Sequence, residues 1–463
     1  MPTQLIQEER IQKLNDKPPR DGRYVLYWMQ QSQRAQFNHA LEYAIRTAND
    51  RGDRLLVVFG LMDDYPEANL RHYRFMLEGL QDVESDLKGR GIPFVLKPGA
   101  PADVAIEFAK DASVVVCDRG YLRHQREWRE QVADEVDCEV WQVESDVVVP
   151  IEVASDKAEH AARTIRPKLK KQRDKFLVEL KTNPLKKDSL GLDISGEDLS
   201  DLDELLGRMK LDTSIGEVTQ FFQGGSSQAK AILRNFRDQK LTDYDENRNQ
   251  PQTNYVSHMS KYLHFGQISP IDVALTIADA KNHPAEDRDS FLEELLCRRE
   301  LAMNFVYFTS QYDSFTCLPD WAKQTLEEHK DDPREHVYTQ KELEAAKTHD
   351  PYWNAAMKEM RHTGYMHNYM RMYWGKKILE WTNTPQTAYR FALEINNKYF
   401  LDGRDANSFT NIAWVFGQHD RGWKERPIFG KVRYMNANGL ERKCDIEGYV
   451  AKVEELVKGH KSE

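Results

Sequence analysis

Apolar runs of strand length alternate with helix-patterned stretches through the first third of the chain. The runs are Tyr24–Trp28, Leu55–Phe59, Pro93–Leu96, Ser113–Cys117 and Val140–Val143. Between them, apolar residues recur at helical spacing over Arg34–Asn49, Asn69–Lys88, Ala102–Lys110 and Leu122–Val132. Near-continuous apolar strands separated by helices predict a parallel sheet covered on both faces. The expectation for residues 1–150 is therefore a doubly wound, Rossmann-like α/β domain with its ligand crevice at the carboxyl ends of the strands. Trp28, Met29, Gln30 and the Gln33–Arg34 turn lie at such an end, where they either cap the sheet or meet a ligand.

Beyond residue 150 the pattern changes. Lys168, Lys170, Lys171, Arg173 and Lys175 precede an acidic, serine-containing stretch from Asp188 to Asp212. Such charge runs read as solvated linker with little function of its own, over residues 151–220. From Gly224-Gly225 onward helical periodicity dominates, so residues 221–463 are expected to be all-α. Met366, Met370, Tyr373, Trp374, Ile378 and Trp381 recur at helical spacing and predict one helix from about Arg361 to Trp381. Trp374 and Trp381 lie two turns apart on one face, roughly 10 Å; Trp353 falls on a preceding helix. The indoles are spaced as an electron relay, although a tryptophan stripe on an amphipathic helix is ordinarily core. Arg371 and Asp402 form a candidate buried charge pair, and buried charges call for a reason.

Length and composition narrow the class. With 463 residues, 40% hydrophobic and 30% charged, the chain fits a globular protein of more than one domain. No run approaches membrane-spanning length, and the opening M-P-T-Q-L-I-Q-E-E-R lacks the plan of a secretory leader. Five scattered cysteines with no metal spacing predict thiols, no bound metal and a reducing intracellular location, cytoplasmic or, in a eukaryote, nuclear. The net charge of −10 argues against nonspecific coating of nucleic acid. One local patch runs against it. Arg421, Lys424, Arg426, Lys431 and Arg433 interleave with Trp423 and Phe429, the mixture that tracks phosphates and stacks on bases.

Other segments carry candidate chemistry. Neither G-x-G-x-x-G nor a Walker A sequence occurs in the N-terminal part, which excludes the ordinary dinucleotide and P-loop sites there. V-S-H-M-S-K-Y-L-H-F-G supplies Ser257, Ser260 and backbone N–H groups at a helix start, suited to a diphosphate or simply to a capped helix with Ser260 as N-cap. F-L-E-E-L-L-C-R-R-E-L-A-M-N-F puts Glu293, Cys297 and Glu300 on one helical face with apolar flanks, so at least one carboxylate faces an interior or a cleft.

These wordings together are specific. D-P-Y-W-N-A-A, M-R-M-Y-W-G-K-K-I-L-E-W and L-D-G-R-D-A-N resemble the photolyase/cryptochrome family, and its class II cyclobutane pyrimidine dimer photolyases in particular, from about Arg23 to Met435. The resemblance implies FAD in the helical domain and a light-harvesting antenna, commonly 8-hydroxy-5-deazaflavin or a folate, in the α/β domain. It implies an enzyme, a carbon–carbon lyase in which excited FADH⁻ injects an electron into a pyrimidine dimer flipped out of UV-damaged DNA. Carried onto this chain, the cofactor-binding positions are Tyr244, Ser257, His258, Met259, Ser260, Arg298, Asn368, Arg371, Asn396, Asp402, Arg404 and Asp405. Glu293 would contact the lesion, Met372 would lie between flavin and lesion, and Asn396, with Asn407 as rival, would face the flavin N5. Trp353, Trp374 and Trp381 match the photoreduction relay. Arg248, Asn249, Trp414, Arg421, Trp423 and Arg433 would rim the DNA cleft. Val256 and Lys261 depart from the pattern, where a hydroxyl residue and a proline are usual, and Cys297 stands where some members have tryptophan. A monomer without protein or membrane partners is implied. The rivals are a cryptochrome-type photoreceptor on the same fold and a light-independent flavoprotein oxidoreductase, for which no nicotinamide motif is found.

Overall fold

The computed structural model describes residues 6–460. Met1–Leu5, part of the stretch read for a leader, lie outside the described residues. No described helix is long and apolar enough to cross a membrane.

The five expected strands are present as β2 (Tyr24–Trp28), β3 (Arg54–Leu61), β4 (Phe94–Pro98), β5 (Ala112–Asp118) and β6 (Glu139–Val143), all parallel. A sixth, β1 (Ile11–Lys13), pairs antiparallel with β6 at the edge, giving the order β1-β6-β5-β2-β3-β4. Three residues with one apolar side chain are too short a pattern to announce a strand. Helices His39–Arg51, Leu70–Gly89, Pro101–Ala109 and Arg123–Glu135 connect the strands. The first begins five residues later than its periodicity suggests, because the Asn38 side chain accepts from Leu41 N and caps it there. Successive β2 side chains enter different apolar clusters, Val25 and Tyr27 one, Leu26 and Trp28 the other, as a sheet buried on both faces requires. The chain leaves β2 towards β3 and β4, then crosses back to β5, so the crevice of the fold opens at the β2 end. Asp118 at the end of β5 accepts backbone N–H groups of Gln30, Gln31 and Ser32 and fixes the turn there.

The stretch read as solvated linker packs closely. Leu199, Leu202, Leu205 and Leu206 rise from its acidic background into the sheet-face core. Its basic part is the helix Ala162–Phe176, seated by Ala162, Ile165, Leu169 and Phe176. The helical half opens at Gly224, where a Cβ would stand 1.9 Å from the carbonyl oxygen of Phe75, so only glycine admits the helix Ser226–Gln239 so close to Leu70–Gly89. Every described regular element from there on is helical.

The single helix expected over 361–381 is two. Pro351–Thr363 ends at Gly364, which adopts φ +69°, and Asn368–Trp381 begins anew. A left-handed glycine after a basic last turn is a helix stop; in H-T-G-Y the apolar stripe masks it.

Candidate active site

Five segments of the helical half wall a cleft. Tyr244 and Arg248 come from a one-turn helix, and Val256–Ser260 from the approach to helix Met259–His264. Phe291, Glu294, Leu295 and Arg299 come from the next long helix. The break at Gly364 supplies Tyr365 and Met366, and the helix beyond it Asn368 and Arg371. The D-G-R-D turn and the helix Ala406–Val415 supply Asp402, Asp405, Asn407, Ser408 and Asn411.

At its centre Arg371 Nη2 donates to both oxygens of Asp402, at 2.8 and 3.1 Å, with little of either side chain exposed. Burial would raise the Asp402 pKa, but Arg371 and the Ser260 hydroxyl outweigh it and hold the carboxyl below the ordinary range. Ser260 therefore serves Asp402 and is not the N-cap. That place belongs to His258, whose φ is +54° and whose buried Nδ1 has no partner among the described residues. Asp405 is pushed up to about 6 by burial and by neighbouring Asp402. Lys261, in place of the usual proline, is almost fully buried. Its ammonium donates to the His258 carbonyl at 3.2 Å, sits 3.7 Å from the Phe222 ring centre, and is pushed down to about 7 by burial.

Several expected positions lie elsewhere, for one reason. Residues Glu293–Arg298 form a π-helical turn between Ala285–Leu292 and Arg299–Phe308. A π turn shifts the faces of a helix relative to an α-helical wheel. Glu294 and Arg299 reach the cleft; Glu293 and Arg298 do not line it. Glu293 instead receives a fork from Arg166 of the linker helix, at 2.6 and 3.0 Å, with Arg298 at 3.6 Å. Burial works to raise its pKa, but Arg166 and then Arg298 outweigh it and hold the carboxyl below the ordinary range. Cys297 turns its sulfur to the carbonyl of Ala162. Glu300 is the interior carboxylate, accepting from Val148 N at 2.6 Å and pushed up to about 8 by burial.

Three further positions are displaced. Arg404 points away from this cleft and lines a second one. Asn396 is buried one layer back, its amide donating to Ser408 Oγ at 3.0 Å, while Asn407 stands on the wall itself. Met372 is half-buried against the helical core and does not line the cleft.

The three tryptophans form a line. Arg371 lies 3.7 Å over the Phe400 ring, and Phe400 lies 6.4 Å from Trp374. Trp353 Nε1 donates to the carbonyl of Trp374 at 3.0 Å, and its ring is 5.7 Å from Trp381. Trp381 in turn packs 5.1 Å from exposed His349. The order from cleft to surface is Trp374, Trp353, Trp381. Sequence spacing gives Trp353 no place in that order.

On the rim, Arg248 pairs with Glu294 at 2.7 Å, and Asn249 is exposed beside it. One helical turn beyond Asn411, Trp414 faces Arg433 at 5.5 Å, and Arg433 lies 4.2 Å from Trp423. Arg421 covers Trp423 at 5.1 Å. Phe429 is core and cannot stack on a base.

A second, smaller cleft opens at the β2 end against the helical half. Met29, Gln30 and Gln33 line it, with rings from Phe59, Tyr73 and Trp128. The Gln30 amide, Gln33 Oε1 and His264 Nδ1 are buried there without partners among the described residues, which suits a planar polar ligand. Trp28 is sealed in the sheet face, and Arg34 is held by Asp146 at 2.7 Å.

Residues 25–186 match the family model described as DNA photolyase, and residues 291–459 that of the FAD binding domain of DNA photolyase. A protein of Methanothermobacter thermautotrophicus named deoxyribodipyrimidine photo-lyase is 50% identical over 454 residues, covering 98% of this chain and 100% of that one. One of the same name from Oryza sativa subsp. japonica is 39% identical, covering 96% and 90%. Among solved structures, the class III photolyase of Agrobacterium tumefaciens is similar with a TM-score of 0.75 at 18% identity, over 94% and 87% of the two chains.

Proposed function

The chain belongs to the DNA photolyase family, and on that premise we propose a light-dependent repair lyase of the class II type, which splits cyclobutane pyrimidine dimers in DNA. The observation that carries the reading is the larger cleft. It brings together the Arg371–Asp402 pair and Glu294, and the helix that lines it at Asn411 carries, one turn on, Trp414 beside the cationic, aromatic patch at Arg421, Trp423 and Arg433.

FAD fits the cleft. Its walls hold donors and acceptors on several sides, and His258 Nδ1 awaits a partner. When bound, FAD supplies light absorption and the electron that opens the dimer. Tyr244, Ser257, His258, Asn368, Arg371, Asp402 and Asp405 would hold it. Arg371 presents a fixed positive charge where negative charge gathers, and Asp402 keeps that guanidinium oriented. Glu294, partnered by Arg248, is the carboxyl group that meets the flipped-out lesion; extrusion costs least for a damaged base. Trp374, Trp353 and Trp381 conduct electrons inward from the surface. The second cleft takes the antenna.

The monomeric state and the division at about residues 150 and 220 belong to the same proposal. A plasmid carrying UV dimers, incubated with the protein, should lose them in blue light and keep them in the dark. Dimers retained in both would leave the photoreceptor reading in possession.

A further inference from the structure

The basic helix Ala162–Phe176, which the sequence marks only as a charged linker, holds seven Lys or Arg residues against one acid, Asp174. In a chain of net charge −10 that is a strong local excess. Its buried face is Ala162, Ile165, Leu169 and Phe176. Along one flank Arg163, Arg166, Lys170 and Arg173 follow at steps of three, four and three, a single helical stripe about 15 Å long.

Two hydrogen-bonded links fix where that flank lies. Arg166 forks onto Glu293, the neighbour of Glu294 in the π turn at the cleft. Just before the helix, the His160 carbonyl lies 2.9 Å from His419 Nδ1, two residues ahead of Arg421 in the rim patch. The stripe thus continues the rim past the cleft mouth. Among the described residues Arg163 and Lys170 have no carboxylate within ion-pair distance. Cations left free on an acidic molecule, continuous with a cationic rim, match a polyanion of regular spacing. Fifteen ångströms of duplex carries about four phosphates per strand.

We infer that the stripe Arg163–Arg166–Lys170–Arg173 binds the phosphate backbone of the DNA strand flanking the lesion, extending the interface beyond the cleft. This rests on the proposed function. Phosphate contacts position a protein without reading sequence. The stripe therefore adds affinity and salt dependence, and leaves the preference for damaged over intact DNA unchanged.

The test is fluorescence anisotropy of FAD-loaded protein on a labelled duplex containing one dimer, and on its intact counterpart, from low to moderate salt. The double variant Arg163→Gln/Lys170→Gln should bind both duplexes roughly tenfold more weakly at low salt. It should also lower the slope of log K against log salt by about 1.8, near 0.9 for each phosphate no longer neutralised. Lys171→Gln, on another face of the helix, serves as control and should match the parent. An unchanged slope in the double variant, with the parent binding normally, overturns the stripe alone. So does an equal loss in the Lys171 control, which reports net charge only. A parent that fails to bind the dimer duplex overturns the functional reading and the stripe with it.

Discussion

Trp353 stands edge-to-face with Trp381, ring centres 5.7 Å apart, while its indole N–H is bonded to the backbone of Trp374. It bridges two residues that share a helix, although its own helix is another one. All three rings are buried, so a hole can travel among them without meeting water until it nears His349.

The central position makes Trp353 the critical link. Trp353→Phe should abolish photoreduction of the oxidised flavin, with Trp381→Phe close behind. Repair by protein reduced beforehand with dithionite should stay near the parent level in both. The check is flavin bleaching under blue light with an external donor; bleaching at the parent rate in Trp353→Phe would remove the residue from the path.

The π turn assigns the two adjacent glutamates different work. Glu294→Gln should lower the repair yield per absorbed photon by roughly tenfold, equivalent to ~1.4 kcal/mol, with little change in affinity for dimer DNA. Glu293→Gln should leave the yield almost untouched, because that carboxylate answers Arg166 and lies off the cleft. A larger loss in Glu293→Gln than in Glu294→Gln would reverse the assignment.

Removing one member of a buried pair strands the other. Arg371→Met leaves the Asp402 carboxylate buried opposite nothing of like strength, a cost of about 3 kcal/mol. Bound flavin should fall sharply and Tm should drop. Arg371→Met/Asp402→Asn should regain most of the thermal stability without regaining flavin. Absorbance at the flavin band and a thermal melt separate the two effects.

Lys261 gives a pH signature. Its folded-state pKa of about 7 lies below the ~10.4 of an unfolded lysine. Between those values the unfolded chain holds the extra proton, so this residue's contribution to stability rises with pH across that window. Below pH 7 both states are charged and the burial penalty is complete. Groups facing it are the His258 carbonyl and the rings of Phe222 and Tyr365, with Asp402 and Arg371 beyond. Lys261→Met should therefore raise Tm by several degrees at pH 6, and by progressively less towards pH 10. Calorimetry at both ends tests it; equal gains would mean that the ammonium is solvated.

Much is legible in the chain. The five parallel strands announce themselves as apolar runs because both faces of that sheet are covered. The Arg371–Asp402 pair is readable because charges inside apolar sequence need partners. Most of the residues that the family wording picks out in 244–260 and 368–405 do line one cleft.

What the pattern misses lies where one backbone feature resets the geometry. Gly364 splits a helix whose apolar stripe runs on across the break. Six π-helical residues turn Glu293 and Arg298 away from the cleft and Glu294 and Arg299 towards it. Arg404, one residue from Asp405, is sent by its φ of +66° into the other cleft. The amino-acid pattern by itself determined the layers and the chemical types present, since these follow from local periodicity and composition, and the family wording added which half carries the cofactor. It took the folded chain to show which of two neighbouring glutamates lines the cleft, where Trp353 stands, and that the basic helix Ala162–Phe176 is tied to Glu293 through Arg166. Those depend on segments far apart in the chain meeting in space, and no local pattern encodes such a meeting.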